Sequence, residues 1–140
     1  MKFELVSPER RLTSTEDATA VRLPGTEGDM TAMADHAPTI TSLRPGILTV
    51  EAGGTEDSYA VTGGFAEIGA GVTVLAERAL HVSDVTQEVL DEWLAEAKQA
   101  HKEAHEAGGA EGAVDAAAKL VADMVAMGGH IGLSADASSL

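Results

Sequence analysis

Apolar and polar residues alternate through the first half of the chain in short runs closed by turn residues. Phe3 and Leu5 flank Glu4, and Val21 and Leu23 flank Arg22. A period of two is the pattern of a half-buried strand. Ile47, Leu48 and Val50 form a further apolar run that ends at Gly53-Gly54, a pair suited to a tight hairpin turn. Tyr59 and Val61 lead to Gly63-Gly64, Phe65 and Ile68 to Gly69-Ala70-Gly71, and Val72, Val74 and Ala76 to Arg78. Turn signals recurring about every 8–12 residues predict a sandwich or flattened barrel of about eight to ten strands.

Beyond residue 84 the period lengthens. Asp84-Val85-Thr86-Gln87 fits a capping box, with Asp84 accepting from the first turn and Gln87 reaching back. Val85, Val89, Trp93, Ala97, Ala100 and Ala104 then recur at helical spacing, until Gly108, Gly109 and Gly112 interrupt them. A second stripe runs through Val114, Ala117, Val121, Met124 and Val125, and Gly128-Gly129 is expected to stop it, leaving a frayed tail from His130 to Leu140. Two narrow, alanine-rich stripes predict a helical hairpin. The chain therefore reads as α+β, with a β-sandwich over 1–84 followed by two antiparallel helices over 85–140.

Composition supports that division. All four prolines and nine of the fifteen glycines precede residue 85, whereas the 56 residues after it contain 14 alanines. Charge does not distinguish the halves: six basic against thirteen acidic side chains in 1–84 and three against ten in 85–140 leave each at -7. The total of -14 over 140 residues is repelled by nucleic acid and by anionic lipid, which removes both as expected partners. The absence of cysteine excludes disulfides, thiol catalysis and thiolate metal sites. No run approaches about 18 apolar residues, and MKFELVSPERR lacks the apolar core of a signal peptide, so a soluble, cytoplasmic protein is expected.

Catalytic chemistry finds little support. His101 and His105 stand one helical turn apart, but His-Lys-Glu-Ala-His lacks the glutamate placement of a zinc protease. A solvated helix face is the simpler reading, as it is for Glu88, Glu92, Glu96, Glu103 and Glu106. No Gly-x-x-x-x-Gly-Lys-Ser/Thr loop occurs. Gly63-Gly64 offers backbone N–H groups to an anion, yet a turn between strands is the more ordinary use. Tyr59 and Trp93 are too few to build a stacking platform for bases. Neither a catalytic site nor a cofactor or metal is expected.

The stretch Leu23-Pro24-Gly25-Thr26-Glu27-Gly28-Asp29-Met30, running on to His36-Ala37-Pro38, is more informative. Its glycines and prolines predict a loop whose tip carries Met30, Thr31, Ala32 and Met33. Methionines beside acidic groups make an adaptable contact surface. The same two methionines equally fit strand positions that fill a core, and the pattern leaves both readings open.

Leu5-Val6-Ser7-Pro8-Glu9-Arg10, Pro24-Gly25-Thr26-Glu27-Gly28-Asp29, His36-Ala37-Pro38, Leu43-Arg44-Pro45-Gly46, Gly63-Gly64-Phe65 and Thr73-Val74-Leu75-Ala76-Glu77 follow one another over about the first 80 residues. In that order and spacing they resemble the epsilon subunit of F-type ATP synthase, equivalent to the delta subunit of the mitochondrial enzyme. The C-terminal half is similar only in outline. The resemblance implies a ten-stranded sandwich followed by two helices, in a non-catalytic central-stalk subunit peripheral to the cytoplasmic face of the inner (plasma) membrane. It also implies partners: the gamma subunit and the c-ring, with the catalytic alpha and beta subunits reached only if the helices extend. By motif position Glu27, Gly28, Asp29, Met30, Thr31, Ala32 and Met33 are the expected c-ring contact, Asp29 standing where the family often has glutamate. His36 and Pro38 are expected to face gamma.

In many relatives the helices regulate, in some cases holding ATP, for which the signature is Ile/Leu-Asp-x-x-Arg-Ala. Here the run is Leu90-Asp91-Glu92-Trp93-Leu94-Ala95. Leu94 in place of the arginine removes a bidentate phosphate contact, so no useful ATP affinity is expected. Inhibition through basic residues of the second helix is expected to be weak too, because Lys119 stands alone against Asp115, Asp123 and Asp136 from residue 113 onward. An alternative is a nucleotide-sensing regulatory module of the same fold, which Leu94 disfavours. A small enzyme on a sandwich has no nameable nucleophile or acid–base pair.

Overall fold

The computed structural model describes residues 1–108 and 111–133, and the chain divides into two compact units, Met1–Asp84 and Val85–Leu140. The first holds ten strands: β1 Phe3–Ser7, β2 Arg10–Thr15, β3 Ala18–Gly25, β4 Gly28–Met33, β5 Thr39–Leu43, β6 Gly46–Ala52, β7 Thr55–Val61, β8 Gly64–Ile68, β9 Val72–Ala76 and β10 Ala79–His81. Their order is β10-β7-β6-β3-β5-β8-β9-β1-β2, with β4 on the other edge of β3. Every pairing is antiparallel except β1 with β9.

One strand folds this sheet into two layers. β3 pairs with β6 along Ala18–Arg22, but at its end Gly25 faces Leu43 of β5. That single register pair joins β10-β7-β6-β3-β4 to β5-β8-β9-β1-β2. The inward residues of both layers, among them Phe3, Leu5, Val21, Leu23, Leu48, Val61, Ile68, Val72 and Val74, form one core. This is the expected sandwich, and the alternations at Phe3/Leu5 and Val21/Leu23 are its buried faces. Gly53 and Gly54, both with positive φ (59° and 79°), make the tight turn between β6 and β7.

A single 3-10 turn, Val82–Asp84, precedes helix α1, Gln87–Glu106. The N-cap lies two residues beyond the expected one. Thr86, not Asp84, is the N-cap; its hydroxyl accepts from the Val89 N–H at 3.2 Å, while the Gln87 amide donates to Asp91 at 2.9 Å. The buried positions of α1 are Leu90, Trp93 and Leu94, so the apolar stripe includes the leucines; of the expected positions Val89, Ala97 and Ala104 are half-buried and Ala100 is exposed.

Helix α2 spans Glu111–His130. Two expectations fail here. Gly112 lies inside the helix, and Gly128-Gly129 does not stop it. The stop is Gly132 (φ 79°): its N–H donates to the Gly129 carbonyl at 3.2 Å and the Leu133 N–H to that of Gly128 at 2.8 Å, the paired bonds of a Schellman closure. The expected fray at His130–Leu133 is thus an ordered cap, and the remainder of that tail, like Gly109, lies outside the described residues. Ala117, Val121, Met124 and Met127 are buried, and Gly128 sits against Leu90 of α1.

Candidate functional site

Pro24-Gly25 and Gly28-Asp29 are opposed ends of the β3–β4 hairpin, and Thr26-Glu27 form its two-residue tip. Met30, Thr31, Ala32 and Met33 are not at a loop tip as expected; they lie along β4, with Ala32 buried, Met30 packed on the core, and Thr31 and Met33 turned out. Met30 takes the core position and Met33 is turned outward. Period-two geometry sends alternate residues of β4 inward, and Met30 and Met33, three apart, fall on opposite faces.

The tip is tied to β5. The Thr26 N–H donates to the Ser42 carbonyl and the Arg44 N–H to that of Pro24, both at 2.9 Å. The Arg44 guanidinium donates to the Gly25 carbonyl through one nitrogen and to the Asp29 carboxylate through the other. Arg44 is 25% exposed and Asp29 80%. A Cβ on Gly25 would stand 2.7 Å from the Gly28 carbonyl, so the tip closes this tightly only around glycine.

His36 and Pro38 lie beyond the far end of β4, whose last residue, Met33, is five residues or about 17 Å along the strand from Gly28. The structure therefore does not gather them with Glu27 and Asp29. They belong to the crossing from β4 to β5, where the His36 N–H donates to Met33 at 3.2 Å and Nδ1 lies 2.7 Å from the Ala37 carbonyl. Pro38 borders an open groove of about 460 Å³ shared with Lys2, Glu67 and Gly69.

Three large apolar residues stand on the outward face of β5-β8-β9, where none was expected. Phe65 (58% exposed) is the register partner of Leu75 (57%), and Ile40 (75%) is diagonal to Phe65 on the same face. Val6 of β1, partly buried, extends the row beyond Leu75. The signal was available, since Phe65 and Ile68 are three apart and cannot both face one core.

His101 and His105 lie on α1, and no group of three or more histidine, aspartate or glutamate residues among the described residues gathers to hold a metal. Glu88, Glu92, Glu96, Glu103 and Glu106 are exposed, as a solvated face requires. No helix among the described residues is long and apolar enough to cross a membrane.

The β-sandwich domain of the ATP synthase delta/epsilon chain family matches residues 1–82, and the chain belongs to that family. Within it the similar curated relatives are epsilon chains. That of Rhodobacter capsulatus is 58% identical over 134 residues, covering 95% of this chain and 97% of the relative. That of Paracoccus denitrificans is 55% identical over 136 residues, covering 95% and 91%. The similarity thus runs well into the helical unit. Among solved structures, a chain of the Euglena gracilis mitochondrial ATP synthase (OSCP/F1/c-ring, rotational state 1) superposes with a TM-score of 0.62 at 26% identity, covering 86% of this chain and 74% of that one. A chain of the Tetrahymena thermophila mitochondrial ATP synthase central stalk and c-ring shares the fold at 13% identity and a TM-score of 0.52, covering 60% and 68%. Epsilon chains are accessory, non-catalytic subunits of ATP synthase, and this chain is one of that kind.

Proposed function

We propose that this subunit is a coupling element of the rotor, with its sandwich held between the gamma shaft and the c-ring at the cytoplasmic face of the membrane. The observation that carries the reading is the outward apolar row Phe65-Leu75 with Ile40. A chain with a net charge of -14 has little reason to leave three large apolar side chains together in water unless a partner covers them. On this reading gamma covers that row together with His36 and Pro38. The c-ring meets the outer side of the hairpin: Glu27, Gly28, Asp29, Thr31 and Met33, with Met30 and Ala32 supporting them from within.

A part that transmits torque must resist deformation. Two layers sharing one packed core, with a contact hairpin tied to the opposite layer by backbone hydrogen bonds, supply that stiffness. Introducing charge at Met30 and Met33 should lower proton-driven ATP synthesis in purified membranes. Unchanged synthesis with the subunit retained would refute the hairpin's role. Serine at Phe65 and Leu75 should release the subunit from gamma while leaving its own fold intact; retention at wild-type stoichiometry would count against the apolar row.

The regulatory roles common among relatives are weak or absent on this reading. Leu94 occupies the arginine position of the nucleotide signature and is buried beside Leu90 and Trp93. Calorimetry should therefore detect no saturable ATP binding in the millimolar range or tighter. Deleting 85–140 should leave ATP hydrolysis nearly unchanged, and a several-fold rise would restore an inhibitory role to the helices.

A further inference from the structure

Asp29 is the acidic residue that motif position would place against the c-ring, yet in this fold its carboxylate is already engaged. Arg44 reaches it from the end of β5 while its other terminal nitrogen holds the Gly25 carbonyl. One guanidinium thus spans both sides of the two-residue tip. Gly25 and Gly28 are register partners, so the two atoms that Arg44 grips lie on opposite strands of the same turn. A planar fork with donors in fixed directions suits this task, and a lysine ammonium does not reproduce it. The other ties from β5 to this region are backbone bonds, from Thr26 to Ser42 and from Arg44 to Pro24. Glu27, at the tip itself, is exposed and outside the clamp.

We infer that Arg44 is a positioning residue for the Thr26–Asp29 tip, with Asp29 as its intramolecular counter-ion, so that Glu27 is the carboxylate the tip offers to a partner. The inference rests on the hairpin meeting the c-ring. It changes which side chain makes the electrostatic contact: Asp29 sets the shape, and Glu27 meets a basic or hydrogen-bond-donating surface.

Two measurements test it. In the isolated full-length chain, amide exchange at Thr26 reports how often the tip opens from β5, because that N–H is bonded to Ser42. Arg44→Gln and Asp29→Asn should each accelerate it about two- to fivefold, the scale of a partly exposed ion pair. The double variant should be no faster than either single one, and Arg44→Lys should restore part of the protection. Multiplying effects in the double variant would overturn the pairing.

In the assembled synthase, Glu27→Gln should lower proton-driven synthesis and weaken its dependence on ionic strength, whereas Asp29→Asn should add no loss in an Arg44→Gln background. A full Asp29→Asn loss in that background would show that Asp29 meets the partner itself and would overturn the inference. If Glu27→Gln is silent while charges at Met30 and Met33 still uncouple, the assignment of Glu27 is wrong and the hairpin reading survives. If all of these are silent with the subunit retained, the hairpin reading has failed and the assignment of Glu27 with it; Thr26 exchange still decides the clamp.

Discussion

Gly64 begins β8 with φ at +130° and faces Leu43 on one side and Ala76 on the other. Alanine there meets two costs. The backbone region is one that side-chain-bearing residues avoid, at about 1–3 kcal/mol. The added Cβ would also stand 2.0 Å from the Leu75 carbonyl oxygen and 2.9 Å from the Ala76 Cα, and both atoms are backbone, so no rotamer change relieves the overlap. Relief requires β8 and β9 to part by more than about 1 Å, which adds overpacking strain of roughly 1–3 kcal/mol. It also costs roughly 1 kcal/mol for each ladder bond lost. Gly64→Ala should therefore cost about 3–6 kcal/mol, a large share of the roughly 5–15 kcal/mol that holds a domain folded. Equilibrium denaturation in urea, followed by the β-sheet signal in circular dichroism, measures it. Gly69→Ala is the control, since its φ is ordinary and nothing lies within 4 Å of the added carbon, so it should change stability by less than about 0.5 kcal/mol. A Gly64→Ala loss below about 1 kcal/mol with an unchanged denaturant slope would refute the close-approach argument.

The helical unit gives three further expectations, each readable in denaturation followed by Trp93 fluorescence. Gly129→Ala meets open space inside α2 and should stabilise the helix by up to about 1 kcal/mol. Gly128→Ala should not show that gain, because its Cβ would stand 2.7 Å from Leu90 Cδ2, and the gain should return in a Leu90→Ala background. Thr86→Ala removes the acceptor for the Val89 N–H and should cost about 1 kcal/mol, whereas Asp84→Ala should cost less, because Asp84 is not the cap.

What the sequence made visible and what it hid follow from the range of the interactions. Alternation at Phe3/Leu5, Val21/Leu23 and Val72/Val74/Ala76 depends only on which side of a strand a residue faces, so it could be read residue by residue. The tip of the β3–β4 hairpin could not. Gly28 and Asp29 look like loop residues until β3 is known to leave β6 and pair with β5, which is what brings Arg44 to Asp29 from fifteen positions away. Leu90 and Leu94 are hard to read for a different reason: alanines of equally helical spacing share their segment. Gly128-Gly129 reads as a stop by propensity alone. Close packing of Leu90 on Gly128 keeps the helix going, and Gly132, free to take positive φ, ends it.

Those same details bear on how freely the hairpin can rearrange. Joining α1 to α2 as one longer helix would require Gly108, which closes α1 at φ 63°, to give up its left-handed conformation. Each glycine drawn into a helix costs about 1 kcal/mol relative to alanine, but Gly112 is already helical and adds nothing to that cost. The glycine penalty alone is thus smaller than counting glycines suggests. The larger obstacle is the seam. Moving α2 away from α1 separates Gly128 from Leu90, and a leucine stripped of its contacts loses about 2 kcal/mol of burial. Leu94→Arg should destabilise the folded hairpin, because the position is buried and the guanidinium would have to be desolvated there. The leucine is therefore part of the hairpin's own packing, and like Leu90 it favours the state in which the two helices stay folded together.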